Sequence, residues 1–220
     1  MPLSIKVCGM TIPDNIRAVA KLGPDWLGLI FHPASPRNAL SLSPDALAML
    51  REEPDGRMLH FTGVFVDRPA GEVLQRADDF ALSAVQLHGS ESPEYCSSLR
   101  GHGFEVWKAV GIGSKDDFQA LQPYIGTVDR FVFDRKSPRH GGTGKKFDWN
   151  LLADYNLPVN FMLGGGVGPE DAETIRSLDH PQLIGLDLNS RFEISPGIKD
   201  AILLKNFINS LMERPTGASV

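Results

Sequence analysis

The chain has 220 residues, 42% of them hydrophobic, and a formal net charge of -5 at pH 7. This length fits one domain of the larger kind or two small ones, and the apolar fraction is ordinary for a soluble globular protein. The acidic balance, with no long basic run, argues against a nucleic-acid or membrane-surface role. Cys8 and Cys96 are the only cysteines and form no CxxC pair, so neither a disulfide scaffold nor a zinc site is indicated. The opening MPLSIKVCGM does not read as a signal peptide, and no stretch approaches the roughly 18 apolar residues of a membrane span. The expected location is the cytoplasm, where thiols stay reduced and a free cysteine can be functional.

Along the chain, short apolar runs alternate with longer amphipathic ones. Ser4-Cys8 reads as a strand and Pro13-Lys21 as a helix, followed by strand Asp25-Phe31 and helix Pro44-Leu50. Met58-Val66, Ala84-His88, Phe104-Val110 and Arg130-Asp134 are the next strands, with helices at Ala70-Phe80, Pro93-Arg100, Lys115-Leu121 and Trp149-Asp154. Strand Pro158-Leu163, helix Pro169-Leu178, strand Leu183-Asp187 and a last helix Pro196-Met212 complete eight βα units. Ser43-Pro44, Ser92-Pro93 and Gly168-Pro169 are helix starts, since proline is tolerated in a first turn and the residue before it can cap. Near-continuously apolar strands imply burial on both faces. Strict alternation implies a parallel sheet with right-handed crossovers. Eight units with no further segment predict a closed (β/α)8 barrel, one domain over residues 1–212, with 213–220 as a frayed tail. A doubly wound open sheet is the alternative.

In such a barrel the site lies at the C-terminal ends of the strands. Those ends carry Cys8, Arg37 in the second loop, Asp67, His88, Lys108, Asp134, Gly164-Gly166 and Asp187. Cys8 is either a small buried hydrophobe or a reactive thiol, whereas Cys96 sits inside a helix and reads as packing. Asp134 ends an apolar strand, where it would cap a loop or act as an acid whose pKa burial raises. Arg37 and His88 are each a solvated polar group or a ligand contact. Glycines gather at His140-Gly141-Gly142-Thr143-Gly144 and at Gly164-Gly165-Gly166-Val167-Gly168, and Asp187-Leu188-Asn189-Ser190 follows the last strand. Glycine turns let backbone N-H groups approach an anion, and the loops after strands seven and eight are the usual phosphate position of these barrels.

Several segments resemble one family. Lys6-Val7-Cys8-Gly9-Met10-Thr11 is similar to the opening of phosphoribosylanthranilate isomerases, and Ser35-Pro36-Arg37 to their loop after strand two. Gly63-Val64-Phe65-Val66, Val85-Gln86-Leu87-His88-Gly89 and Lys108-Ala109-Val110 resemble their next three strands. Asp134 with Lys136, Gly141-Gly142-Thr143-Gly144-Lys145 and Phe147-Asp148-Trp149 resemble their strand-six loop. Gly165-Gly166, Asp187, Pro196-Gly197 and Lys199-Asp200 complete the match, in order, from about residue 5 to residue 200.

The resemblance implies an Amadori rearrangement of N-(5'-phosphoribosyl)anthranilate in tryptophan biosynthesis, with no metal and no other cofactor. It casts Asp134 as the general acid at the ribose ring oxygen and Cys8, as thiolate, as the general base at C2'. Arg37 would meet the anthranilate carboxylate or hold the opened sugar. His88, Gly142, Gly144, Gly165, Gly166, Asp187, Asn189 and Ser190 would contact the phosphorylated substrate. No nucleic acid or membrane partner is implied, and a monomer is expected. One departure stands out: the family's Ser-Ser-Gly-Val-Glu run reads Asn189-Ser190-Arg191-Phe192-Glu193 here, with Arg191 in the glycine's place. Related isomerases of dual histidine and tryptophan specificity use two aspartates, whereas Cys8 stands in the base position here. A barrel that only binds a phosphorylated ligand is the non-enzymatic alternative.

Overall fold

The structure, a computed structural model, describes residues 3–50, 58–136 and 146–212. Eight parallel strands close on themselves in chain order: β1 (Ser4–Cys8), β2 (Trp26–Ile30), β3 (His60–Phe65), β4 (Ala84–Leu87), β5 (Glu105–Ile112), β6 (Arg130–Arg135), β7 (Phe161–Leu163) and β8 (Leu183–Leu188). The seam pairs Lys6 of β1 with Asp187 of β8, and on its other side Lys6 of β1 with Trp26 of β2. The open-sheet alternative is therefore excluded. Helices α1 (Pro13–Ala20), α2 (Pro44–Ala48), α3 (Ala70–Asp79), α4 (Pro93–Leu99), α5 (Asp116–Gln119), α6 (Ala172–Ser177) and α7 (Ala201–Met212) follow strands in turn.

Buried aliphatic and aromatic side chains such as Val7, Leu29, Phe61, Leu87, Phe131 and Leu186 fill the layer between sheet and helices. Inside the barrel a second cluster centres on Trp107, Ala109, Val132 and Met162, with Trp26 packed against it. The Arg130 guanidinium lies 4.5 Å from the Trp107 ring centroid and pairs with Glu105. Trp26, Glu105 and Arg130 each open their strands, so this aromatic and charged layer stoppers the N-terminal end and leaves the C-terminal end for polar groups.

Two of the three expected caps form: Ser43 Oγ accepts from the Ala46 N–H and Ser92 Oγ from the Tyr95 N–H, both at 3.2 Å. At Gly168 the cap is supplied from inside the turn, by the Asp171 carboxylate accepting the Gly168 N–H. The expected helix Trp149-Asp154 is a 3-10 helix, and Pro169-Leu178 divides into a 3-10 turn, Pro169–Asp171, and α6. The larger correction is at the end of the chain, where Pro196 does not start the last helix. It lies in a turn between β9 (Glu193–Ser195) and β10 (Ile198–Lys199), an antiparallel pair, and α7 starts only at Ala201. Proline presets the first turn angle and Gly197 takes φ +85°, which a glycine adopts without strain.

The closing seam tolerates little added bulk. A Cβ on Gly185 of β8 would lie 2.5 Å from the Ser4 carbonyl oxygen and 2.9 Å from the Met162 methyl, whereas one on Gly71 of α3 meets nothing within 4 Å. Gly185→Ala is expected to destabilise the fold by about 1–3 kcal/mol. Gly71→Ala should be neutral or stabilising by up to about 1 kcal/mol. Urea unfolding at unchanged m value reads both, and equal midpoints for the two variants would contradict the seam packing.

Candidate active site

Alternation along a strand places residues i and i+2 on one face. Lys6 and Cys8 of β1 thus share a face, as do Gln86 and His88 at β4 and Val132 and Asp134 at β6. Lys6 is fully buried, and its Nζ donates to Gln86 Oε1 at 2.5 Å and to Asp187 Oδ2 at 3.1 Å. Burial works to lower its pKa, but Asp187 and Cys8 outweigh burial and raise it, so Lys6 stays an ammonium. The second Asp187 oxygen, Oδ1, is buried and has no hydrogen-bond partner among the described residues.

Cys8, 3% exposed, ends β1. Burial pushes its thiol above the ordinary range and the Asp187 charge adds to this, while Lys6 and Lys199 pull it down. Asp134 lies on β6 with its side chain 23% exposed, and its Oδ2 is 3.6 Å from His88 Nε2. Burial raises the Asp134 carboxyl above the usual range, against the Arg135 N–H, which donates to Oδ1 at 2.6 Å, and the more distant Lys6. Gly165 packs onto this acid, since a Cβ there would lie 2.6 Å from both Asp134 Oδ1 and the Arg135 nitrogen.

Arg37 is neither solvated nor isolated. Its Nε lies 2.9 Å from each Glu193 oxygen and its Nη2 2.7 Å from Oε2. Glu193 Oε1 also accepts from Lys199 Nζ at 2.5 Å and from the Gly197 N–H at 3.1 Å. Lys199 Nζ donates further to Asn189 Oδ1 at 2.8 Å. Gly9, at φ +76°, fits between Asn189 and Arg37, because a Cβ there would come within 2.8 Å of one and 3.0 Å of the other.

Gly165 and Gly166 turn at positive φ after β7, and Ser190 begins a 3-10 turn after β8. Arg191 extends outward, 43% exposed, with Nη2 2.7 Å from Glu170 Oε1. Gly142 and Gly144 lie outside the described residues. A cavity of about 350 Å³ opens on the β4–β6 side of the mouth, lined by His88, Tyr124, Asp134 and Lys136 among others, in the size range of small-ligand sites.

Two strand-end residues prove structural. Lys108 Nζ donates to the Gly89 carbonyl and to Glu91, while Asp67 and Glu91 accept N–H groups of the loop at residues 89–90. Cys96 is buried in α4 as packing. Among the described residues no three His, Cys, Asp or Glu side chains stand close enough to hold a metal ion.

The chain matches the family model for N-(5'-phosphoribosyl)anthranilate isomerase over residues 5–210. It belongs to that family. A phosphoribosylanthranilate isomerase of Parabacteroides distasonis is 43% identical over 208 residues, covering 94% of this chain and 93% of the relative. The phosphoribosylanthranilate isomerase of Thermus thermophilus superposes with a TM-score of 0.80 at 27% identity, covering 96% of this chain and 98% of the other. Another isomerase of the family was solved with reduced 1-(o-carboxyphenylamino)-1-deoxyribulose 5-phosphate, with TM-score 0.76, 27% identity and the same coverages.

Reading strand ends named Cys8, His88, Asp134 and Asp187, which the barrel carries at one mouth, and missed what lies beneath them. Lys6 and Gln86 sit one face-repeat before Cys8 and His88, so period-two reading carried one step back would have found them. Glu193 and Lys199 carry no local signal, because their placement depends on the hairpin.

The ion pair under the site sets a stability contrast. Lys6→Met would strand Asp187 without its cation, and losing one partner of a buried pair costs about 3–5 kcal/mol. Arg17→Met removes an exposed pair with Asp14 and should cost about 1 kcal/mol or less. Denaturant midpoints of the two variants compare these, and equal losses would refute the buried role of Lys6.

Proposed function

We propose that Asp134 and Cys8 are the general acid and general base with which this isomerase converts N-(5'-phosphoribosyl)anthranilate to 1-(2-carboxyphenylamino)-1-deoxyribulose 5-phosphate in tryptophan biosynthesis. The observation that carries the roles is the pairing, at one barrel mouth, of a carboxyl that burial helps keep protonated with a thiol whose thiolate burial makes strongly basic. Asp134 protonates the ribose ring oxygen, the C1'–O bond breaks, and the anilino nitrogen lone pair closes a C=N bond. Cys8 thiolate then takes the C2' proton, and the C–H electrons neutralise the cation as an enolamine. In the tautomerisation to the ketone, C1' gains a proton and the C2' hydroxyl loses one. These transfers restore the proton that Asp134 gave and release the one that Cys8 took.

The remaining groups hold the substrate. Arg37 meets the anthranilate carboxylate through the guanidinium edge that Glu193 leaves open. Asp187 Oδ1, the unpartnered acceptor, takes a sugar hydroxyl, and His88 flanks the opened sugar beside Asp134. Gly165, Gly166, Asn189 and Ser190 cradle the phosphate, with Gly142 and Gly144 assigned there by resemblance alone. Holding substrate at both its carboxylate and its phosphate fixes the sugar between acid and base. We further propose a monomeric, cytoplasmic enzyme. Both cysteines are free, no helix among the described residues is long and apolar enough to cross a membrane, and exposed Met49, Ile125 and Ile202 come from different elements.

Removal of either group tests the roles. Cys8→Ser and Asp134→Asn should fold and bind the reduced product analogue, with kcat reduced about 10²–10⁴-fold each. Near-normal turnover in either variant would remove that residue from the chemistry.

The pH profile is the finer test. The active state carries one proton on the pair, with Asp134 protonated and Cys8 ionised. It shares its proton count with the more populated form in which the proton rests on Cys8. That count dominates between the two pKa values, so kcat/KM should be flat there. It should fall on the acid side through the Asp134 titration and on the alkaline side through that of Cys8, above the ordinary thiol range. In Asp134→Asn only Cys8 still titrates, so the residual rate should rise with pH where the wild type falls. An alkaline fall that persists in Asp134→Asn would refute the assignment.

A further inference from the structure

We propose that Glu193 and Lys199, carried by the β9–β10 hairpin, are positioning residues that hold the Arg37 guanidinium in advance for the substrate's aromatic carboxylate. They thereby set the preference for an ortho-carboxylated arylamine. The inference rests on the reading of Arg37 given above and adds the device that fixes it.

Arg37 comes from the loop between β2 and α2, and a long side chain left free there would have to be ordered each time substrate bound. Glu193 removes that freedom by occupying the whole Nε/Nη2 edge, with contacts of 2.7–2.9 Å. The Nη1/Nη2 end faces the other way, and Nη1 has no acceptor among the described residues. A guanidinium can bind one carboxylate side-on and a second end-on, so the edge that remains has the shape of a planar anion.

The clamp is itself built in. Glu193 and Lys199 are 4% and 0% exposed at the side chain. Glu193 is held below the usual carboxylate range: burial pushes it up, and Arg37 and Lys199 more than offset that. The Lys199 backbone is tied to Asn15 of α1 by two hydrogen bonds of 2.8 and 2.9 Å, and Thr11 Oγ1 donates to the Gly197 carbonyl at 2.8 Å. The hairpin is thus braced against the loop after β1 and against α1. Burial lowers the Lys199 pKa against the pull of Glu193, and with Lys199 protonated the side chains of Arg37, Glu193 and Lys199 sum to one positive charge, largely buried, with no second carboxylate bonded to them among the described residues. The substrate carboxylate completes the set. A ligand lacking it leaves a desolvated cation unpaired, which is how a site built for a polar group rejects its absence.

The test titrates two stable ligands, reduced 1-(o-carboxyphenylamino)-1-deoxyribulose 5-phosphate and its counterpart without the carboxyl group. Calorimetry of wild type, Arg37→Ala and the double variant Glu193→Gln/Lys199→Met gives the ratio of the two Kd values. The double variant dismantles the clamp at constant net charge, because one charge of each sign is lost. Wild type should prefer the carboxylated ligand on the order of 100-fold or more, and Arg37→Ala should bring the ratio close to one. The double variant should cut the ratio at least about tenfold while the carboxyl-free ligand binds within about threefold of wild type. If Arg37→Ala keeps the wild-type ratio, the reading of Arg37 fails. If Arg37→Ala collapses the ratio and the double variant keeps it, or weakens both ligands alike, the clamp alone is overturned. Should the double variant not fold, Glu193→Asp keeps the charge but shortens the reach by one methylene. The same fall in ratio is then expected, and an unchanged ratio overturns the proposal.

Discussion

A buried ammonium at the centre of the barrel is the constraint on which the site depends. Lys6 lies on the first strand, Asp187 on the last, and the two are register partners across the seam that closes the sheet. An uncompensated charge at this depth would be intolerable, so the seam must close in the one register that brings Asp187 beside Lys6. Gln86 reaches in from β4 and takes a second Nζ proton. The pair that checks closure also lies directly under Cys8, two residues further along β1. Fold and chemistry share a group here, and each limits how the other can vary.

Burial acts on the proposed acid and base in the same direction with opposite consequences. Raising the Asp134 carboxyl makes its protonated, acid form easier to populate. Raising the Cys8 thiol depletes the thiolate while making each thiolate a stronger base. Lys6 and Lys199 temper that loss without removing it. A more open mouth would ionise Cys8 more readily, but it would also make the acid form of Asp134 scarcer and admit water to the site. An enclosed mouth with buried cations near the thiol retains the enclosure and recovers part of the thiolate.

Much of this was legible in the sequence because burial on both faces of a parallel strand leaves a continuous apolar run, and because the strand ends are where polar residues can survive. Cys8, His88, Asp134 and Asp187 follow from those two facts. Pro196 shows the limit. Read alone it starts a helix, as Pro44 and Pro93 do, yet followed by Gly197 it makes a turn. The hairpin that results brings Glu193 and Lys199 against Arg37, 156 residues from Glu193 in the chain. Lys6 was hidden for another reason: a lysine inside a strand looks like an error in the apolar pattern until its partners, 80 and 181 residues distant, are known.

The departure at Arg191 bears on what the proposed phosphate loop requires of its residues. Glycine is demanded where φ is positive or where a Cβ would strike its surroundings. Arg191 meets neither condition, because its φ is not positive and its side chain runs outward to Glu170. The backbone can therefore take the same turn after β8 with an arginine as with a glycine, and the side chain is held at the rim. Gly165 is different. Its φ is +66°, and a Cβ there would press on the Asp134 carboxylate. Of these two positions, the one that touches Asp134 is therefore the one that cannot accept a side chain.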